Sequence, residues 1–534
     1  MKNSKQTTGL WTSATGQRAL LLFLLLLYPL LGMLWHHGYP FISSEIFLTL
    51  AGFALFAAGV SVLLSPCRWL VVNLVIITLI TLVLLIHSNL LFLGILVVLV
   101  SCLVLSIWLK DQFPKMSLVV IVALIIGAYF DNQIDHARNA TQLEPLSQTA
   151  TQGPLIHIVV DGFIGPDGLP RSPESQNLRG EILEFFEAFD FQLHTRAYTH
   201  YNNTTDSLYR AFNFQNDDEN IFQKIVMLRE PISIRKNAWF EALGQQGFPI
   251  MVYQTESVNF CESTAVDYCN VFPIPNLKTI HHAVDDIGTR VAVLLRALLG
   301  QSVLISEMLL EYMRIGSWGI STYDQRLLST MATDIPLRPD GAYFAHMLIP
   351  HSPLVYRQDC SVDYNSEPWE RFTATTGLIG NSIETRAMRY KKFVPHAQCA
   401  LKELGSLFQA LKDQGLYQQA TILVHGDHGT SAYNYSPVVS NMDKLRYRDL
   451  REMYSALFAV KLPGGTAGLN HQTTSLNVLM AQTLADISGL SKQQVAIEVS
   501  NETEPFIYLS GATPLEKMLV DIFTRREGDP ESEL

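Results

Sequence analysis

No internal repeat and no low-complexity tract interrupts this chain, so neither a solenoid nor an array of small modules is expected. Cysteine is scarce, six in 534 residues, and no two are spaced as C-x-x-C. That spacing is what a structural zinc site would ask for, so zinc ligation by cysteine is disfavoured. Charge is scarce too, at 16% of residues, and its balance is acidic. After residue 150 there remain 31 Lys and Arg against 44 Asp and Glu. An acidic domain lacks the basic footprint that binding of nucleic acid requires. No small-residue cleavage site stands out after the first apolar run, and four more runs follow it, which excludes a cleaved signal peptide.

What is present in excess is apolar sequence at the N-terminus. Five runs lie near residues 19–35, 45–64, 69–87, 89–108 and 116–130. Four are long enough to span a bilayer, and the shorter fifth extends through Ala128-Tyr129-Phe130. Lys2, Lys5 and Arg18 precede the first run, Arg68 separates the second from the third, and Lys110 and Lys115 separate the fourth from the fifth. The loops at 36–44 and 87–89 carry no Lys or Arg. By the positive-inside rule the N-terminus is cytoplasmic, and an odd number of spans places everything after residue 131 outside.

The expected organisation is a five-helix transmembrane domain at 1–131, a linker at 132–153 and an extracytoplasmic domain at 154–534. The linker includes the polar, aperiodic stretch from Gln142 to Gly153. The outer part holds four cysteines, an even number in an oxidising compartment, which reads as two disulfides. The favoured pairs are Cys261–Cys269, closing a short loop, and Cys360–Cys399. Cys67 and Cys102 belong to the membrane part as small apolar residues.

The outer domain alternates strand and helix patterns. Apolar runs at 155–160, 250–253, 342–349 and 421–425 have the length and composition of buried strands. Helical spacing marks Arg179–Phe189, a stretch beginning at Trp239, the region Asp285–Met313, Cys399–Asp413 and Thr473–Leu484, while Met453–Val460 closes the pattern. Such alternation predicts an α/β sandwich with a mostly parallel central sheet. The domain is large for one core, which leaves room for a small C-terminal subdomain.

Two of these strands end in groups that bind metals. The run Leu155–Val160 ends in Asp161-Gly162, and Thr421–His425 ends in Gly426-Asp427-His428-Gly429. Ligands of open α/β sheets gather at the carboxyl ends of strands. A third segment, Asn203-Thr204-Thr205-Asp206-Ser207, supplies a hydroxyl before a helical stretch over Thr205–Phe212. Each piece has a commonplace reading: Asp-Gly is a turn, and Thr-Thr-Asp-Ser is a helix N-cap. Taken together they form a divalent-cation site of Asp161, Thr204, Asp427 and His428, a mixed oxygen and nitrogen set suited to zinc or manganese and less to magnesium. Coordination would lower the pKa of the Thr204 hydroxyl and make it a nucleophile, with the helix N-terminus favouring an anion beside it.

These motifs resemble the alkaline phosphatase/sulfatase-like superfamily over residues 154 to about 490, and within it the membrane-anchored phosphotransferases: lipoteichoic acid synthase and the phosphoglycerol and phosphoethanolamine transferases. The resemblance places the acid after the first strand on Asp161 and the Asp-His pair on Asp427 and His428. It places the nucleophile, followed three residues later by serine, on Thr204 with Ser207. A His-x-Pro after a mid-domain strand falls on His351-Ser352-Pro353 and implies that His351 contacts the substrate phosphate or leaving group. His346 is expected to face the sheet interior, and His425 and His471 receive no role. The C/S-x-P-x-R setting of sulfatases is missing, which disfavours sulfate-ester hydrolysis, and no D-x-x-x-H pair is placed for a second metal. Several of the phosphotransferases carry glutamate where Asp161 stands.

The resemblance implies an enzyme of the bacterial inner membrane, multi-pass, with a periplasmic or extracellular catalytic domain. It would move a phosphoglycerol or phosphoethanolamine head group from a phospholipid donor to an envelope glycan or lipid acceptor, through a phospho-threonine. The glycerol-phosphate chemistry is the closer of the two. The competing expectations are a single-metal phosphate-ester hydrolase on the same scaffold and a non-catalytic envelope binding protein.

Overall fold

The computed structural model describes residues 14–36, 39–65, 112, 117, 153–228, 232–272, 281, 287–300, 326–351, 354, 356–361, 383–430, 437–488 and 504–523. The chain divides into two compact units, Met1–Ala140 with Pro275–Thr322, and Thr141–Ile274 with Tyr323–Leu534. A segment from the middle of the chain thus groups with the N-terminal unit, which a single boundary near residue 131 does not anticipate.

In the first unit, the helices Ala14–His36 and Ser44–Leu63 pack on each other, and each contains a segment long and apolar enough to cross a membrane. The three later apolar runs lie outside the described residues. Leu48, Leu55, Phe56, Val62 and Leu63 of the second helix are exposed. The one acid of that helix, Glu45, is buried and fully engaged. Its carboxylate accepts from Tyr39 Oη (2.7 Å) and Ser44 Oγ (3.1 Å), and lies 2.6 Å from His281 Nδ1. The apolar helix Ile287–Gly300, within the region expected to be helical from 285 to 313, packs against the second helix. The remainder of that region lies outside the described residues.

The second unit is built on an eight-stranded sheet. Its strands are β1 (Leu155–Val160), β2 (Gln192–His194), β4 (Ile250–Thr255), β5 (Tyr268–Phe272), β6 (Ala342–Met347), β7 (Thr421–His425), β8 (Phe458–Lys461) and β9 (Gly468–Asn470). Two short strands, β3 (Ala197–Tyr198) and β10 (Thr474–Ser475), pair separately, and β11 (Phe506–Leu509) and β12 (Glu516–Leu519) form an antiparallel pair near the C-terminus. The order is β5-β4-β6-β1-β7-β8-β2-β9, and only β8 runs against the rest. The mostly parallel sheet is therefore as the sequence indicates.

Strands β1, β4 and β6 are buried at every position, which is why they read as unbroken apolar runs. Alternation assigns their side chains to two faces. Ile156, Ile158, Val160, Tyr343, Ala345, Ile422 and Val424 belong to one core, shared with residues of the helices Pro173–Ala188, Arg326–Asp334 and Ile383–Asp413. Leu155, Val159, Phe344 and Leu423 belong to the other, shared with the helices Thr204–Asn213, Ala238–Gln245 and Leu476–Ser488. The result is a three-layer α/β arrangement.

Several boundaries differ from the sequence reading. The first helix of this unit starts at Pro173 rather than Arg179, because Ser172 Oγ accepts from Ser175 N and proline suits the first turn. The helix expected from Cys399 begins at Ile383 and runs through Pro395. The stretch 453–460 splits between the end of the helix Tyr447–Tyr454 and the reversed strand β8. The helix expected from Thr473 begins at Leu476, after β10. Both disulfides form as paired from sequence, Cys261–Cys269 and Cys360–Cys399; Cys67 and Cys102 lie outside the described residues.

Two imidazoles, His194 half-buried at the end of β2 and His396 buried in the helix Ile383–Asp413, tie this core to pH. Burial pushes His194 in β2 down to about 4 and His396 down to about 3, the latter against a partly offsetting bond to the Pro350 carbonyl. Both are neutral in the fold and charge first in the unfolded chain. Stability is accordingly complete above pH 6.5 and declines as pH falls towards 4 and then 3. Each such group contributes about 1.4 kcal/mol per pH unit over its window. Urea midpoints measured from pH 7 down to pH 4.5 are expected to fall progressively; a level midpoint would contradict the assignment.

Candidate active site at the carboxyl edge of the sheet

Strands β6, β1 and β7 lie side by side and end almost flush, with Val159 paired to both His346 and His425. The ladder closes with Asp161 N donating to the Met347 carbonyl at 2.9 Å. Beyond it the chain turns at Gly162, whose φ of +71° is easily reached only without a side chain. That turn aims Gly162 N at Asp427 Oδ1, 2.8 Å away, so the backbone after β1 holds the carboxylate after β7.

Asp161, Asp427 and His428 are all buried. His428 Nδ1–H donates to the Gly429 carbonyl at 2.7 Å, which leaves the Nε2 lone pair for the site. Nε2 lies 3.3 Å from Asp427 Oδ2 and 3.9 Å from Asp161 Oδ1. Those two carboxylate oxygens have no hydrogen-bond donor. One donor atom from each residue falls within 4.8 Å of the others. Two orphaned carboxylate oxygens and an imidazole with its lone pair fixed make a donor set that fits zinc or manganese.

Thr204 approaches this group from above. Its helix, Thr204–Asn213, is capped by Asn203, whose side chain accepts from Asp206 N at 2.9 Å and whose carbonyl accepts from Ser207 N at 3.0 Å. Thr204 itself is the first helical residue, one earlier than the sequence indicates. Its Oγ1 stands 3.4 Å from Asp161 Oδ2 and 3.3 Å from His428 Nε2. The four residues expected to form the site are thus brought together.

Ser207, one turn on, donates to the Asp427 carbonyl at 2.6 Å and shares a 2.8 Å bond with Thr199. Asp206 faces away and forms a buried pair with Arg210 at 2.9 Å, while Arg210 also bonds Asp217 and the Glu219 carbonyl. In the Thr-x-Asp-Ser segment, Thr204 therefore faces the site, Asp206 fixes the helix to the loop that follows it, and Ser207 fixes it to the strand end.

Two more histidines, His351 and His346, bear on the acids. The ring of His351 lies 6.3 Å from that of His428, centroid to centroid; Ser352 and Pro353 of its motif lie outside the described residues. His346 was expected in the sheet interior. It is fully buried there, yet its Nε2 also comes within 3.4 Å of Asp161 Oδ2. Burial alone would raise the Asp161 carboxyl, but His351, His346 and His428 outweigh it and hold the group well below the usual carboxylate range. Burial would lower His428, but Asp427 and Asp161 outweigh it and push the imidazole up. His346 was legible only through strand parity, since it shares a face with Phe344 and, across the register, with Val159. His471, in contrast, bonds Thr195 at 2.9 Å.

The glycines around Asp427-His428 are set by backbone approach. A Cβ at Gly429 would meet the Glu452 carbonyl oxygen at 2.1 Å, and one at Gly426 the Phe163 carbonyl oxygen at 2.4 Å. Gly429→Ala is therefore expected to displace this turn and unfold the domain at a markedly lower urea concentration. Ser207→Ala, which leaves the buried Asp427 carbonyl short of a donor, is expected to cost about 1–3 kcal/mol in the same titration.

No family model and no curated protein matches the chain. Solved structures do. The zinc complex of the C-terminal periplasmic domain of EcEptC from Escherichia coli aligns at 13% identity and a TM-score of 0.42, covering 73% of this chain and 98% of that one. Lipoteichoic acid synthase LtaP from Listeria monocytogenes aligns at 11% identity and 0.39, covering 71% and 83%. Phosphonate monoester hydrolase of Agrobacterium radiobacter aligns at 15% identity and 0.37, covering 64% and 74%. The chain is similar to these structures at TM-scores below 0.5, and the chemistry rests on the residues of its own site.

Proposed function

We propose that the chain is a membrane-anchored, metal-dependent phosphotransferase that moves a phosphoglycerol or phosphoethanolamine head group from a phospholipid to an envelope glycan or lipid. The observation that carries this reading is the placement of the Thr204 hydroxyl. It stands at a helix N-terminus, 3.4 Å from Asp161 Oδ2 and 3.3 Å from His428 Nε2, beside a buried set of donors suited to a divalent cation.

Asp161, Asp427, His428 and Thr204 would hold one such ion, zinc or manganese. When bound there it supplies a lowered pKa for the hydroxyl and polarisation of a phosphoryl oxygen. The protein's own groups do the rest. Asp161 Oδ2 accepts from the Thr204 hydroxyl and orients its lone pairs towards the phosphorus. The N–H groups of Thr204 and Thr205, ahead of the Asp206 N–H capped by Asn203, have no intrahelical acceptor and favour phosphoryl oxygen charge. His351, whose ring lies 6.3 Å from that of His428, would contact the phosphate and give a proton to the departing alcohol.

In the first displacement the Thr204 hydroxyl releases its proton to solvent, Oγ1 bonds to phosphorus, the bond from phosphorus to the diacylglycerol oxygen breaks, and that oxygen leaves with a proton from His351. In the second, an acceptor hydroxyl bonds to phosphorus, loses its proton and releases Thr204. A covalent intermediate lets one site serve two alcohols in turn. A phospholipid donor also gives the apolar N-terminal helices a purpose, since the reacting group then lies at the membrane surface.

The test uses full-length protein purified from its native membranes, stripped of metal to stall turnover, with mass spectrometry of the peptide holding Thr204. A glycerophosphoryl or phosphoethanolamine adduct on Thr204 is expected, together with loss of transfer by several orders of magnitude in Thr204→Ala. Release of head group to water with no acceptor present would favour the hydrolase. A bare Thr204, in protein that regains no transfer when metal and phospholipid are restored, would favour the binding protein.

A further inference from the structure

The segment His425-Gly426-Asp427-His428-Gly429 contains the same two-residue step twice. In each, a histidine Nδ1 lies against the carbonyl of the glycine after it, at 2.8 Å for His425 and 2.7 Å for His428. The Nδ1–H donates in both, so Nε2 is the acceptor in both. For His428 that nitrogen faces Asp161 and Asp427. For His425 it faces inward, 2.8 Å from Nε2 of His157 in β1. A hydrogen bond between two ring nitrogens needs one proton, and His425 has placed its own on Nδ1. His157 must therefore donate from Nε2, which leaves its Nδ1 without a partner, as observed.

This pair lies where a wholly apolar layer would be expected. His157 is walled by Phe212, Trp239 and Phe344, with ring centroids 5.3–5.4 Å away. Phe212 belongs to the Thr204 helix. Replacing a buried polar pair by apolar groups is often neutral for stability, so a pair kept in such a place invites a positional explanation. The Gly426 carbonyl supplies one. It has left the β7–β8 ladder, it is buried, and the His425 Nδ1–H is its donor. The next residue is Asp427.

We propose that His157 and His425 are positioning residues for the metal centre: His157 fixes the His425 ring, His425 fixes the Gly426 carbonyl, and that carbonyl sets the turn presenting Asp427 and His428. His157 touches none of the four site residues by this route, so its effect on them passes through His425. The inference rests on the proposed function only in taking Asp161, Thr204, Asp427 and His428 as the metal's ligands.

The experiment measures zinc affinity of the metal-stripped full-length chain in detergent, by competition with a chromophoric chelator. The proteins are the unsubstituted chain, His157→Phe and His157→Gln. Phenylalanine keeps the ring and removes the donor; glutamine places an amide N–H near the Nε2 position. Far-UV circular dichroism at the assay temperature checks that all three are folded. His157→Phe is expected to bind zinc about 10–100-fold more weakly, and His157→Gln to recover most of that loss. Equal affinity in all three, or a glutamine variant no better than the phenylalanine one, overturns the positioning role while leaving the metal centre standing. An unsubstituted chain that binds no zinc removes the metal centre itself, and the positioning role with it. Should His157→Phe fail to fold, the comparison of the unsubstituted chain with His157→Gln and His157→Leu decides by the same criteria.

Discussion

Everything at the carboxyl edge of the sheet follows from one electrostatic constraint: two carboxylates, Asp161 and Asp427, are buried side by side. Charges of one sign taken out of water together are unfavourable unless partners of opposite sign or strong donors surround them. The structure supplies both. Gly162 N donates to Asp427, while His346, His351 and His428 gather about Asp161. One oxygen of each acid is still left without a donor, and both lie towards His428. A divalent cation is the partner that such a remainder suits.

The sheet exists in this form because the acids must meet. Two parallel neighbours ending in register bring the Asp427 carboxylate within hydrogen-bonding reach of the backbone just after Asp161. An antiparallel pair would have placed one acid at the opposite edge. The reversed strand β8 stands outside this group, beyond β7, where it closes the ladder through Leu457 without contributing an acid. Ser207 then ties the Thr204 helix to the strand end, and Asp206 and Arg210 tie its other side to the following loop through Ile221 N and the Glu219 carbonyl. Thr204 and the two acids are therefore held in place by bonds to the scaffold, which on the proposed reading is preorganisation in structural terms.

The most legible parts in sequence were those where burial is uniform or chemistry is unusual. Strands β1 and β7 read plainly as β-branched runs, and an Asp-His pair closing one of them is hard to explain by packing. The helix at Thr204 was found to within one residue because the Asn-Thr-Thr-Asp-Ser segment carries its own cap. What was missed lacked a local signal. Strands β2, β3, β9 and β10 are two or three residues long, too short for a period to show. The helix that the spacing marked only from Cys399 starts at Ile383 and runs through Pro395, a residue that disfavours a helix interior. The partnership of His346 with Asp161, and of His157 with His425, depends on register between strands hundreds of residues apart in one case and unspecified by either strand alone in both.

The same geometry bears on why a threonine, and not a bound water, would do the attacking. An alcohol on a capped helix arrives with its position already fixed, so no entropy is lost in bringing it to the acids at each turnover. Water would serve hydrolysis equally well. A fixed alcohol has a distinct advantage only when the phosphoryl group must be retained while one alcohol leaves and another enters. On the proposed reading, the donor alcohol is held in a membrane and the acceptor belongs to the envelope, so the two need not meet. On that reading the covalent phospho-threonine carries the group between them, and Thr204, half-exposed beside the buried Asp161, Asp427 and His428, can be reached by one alcohol and then the other.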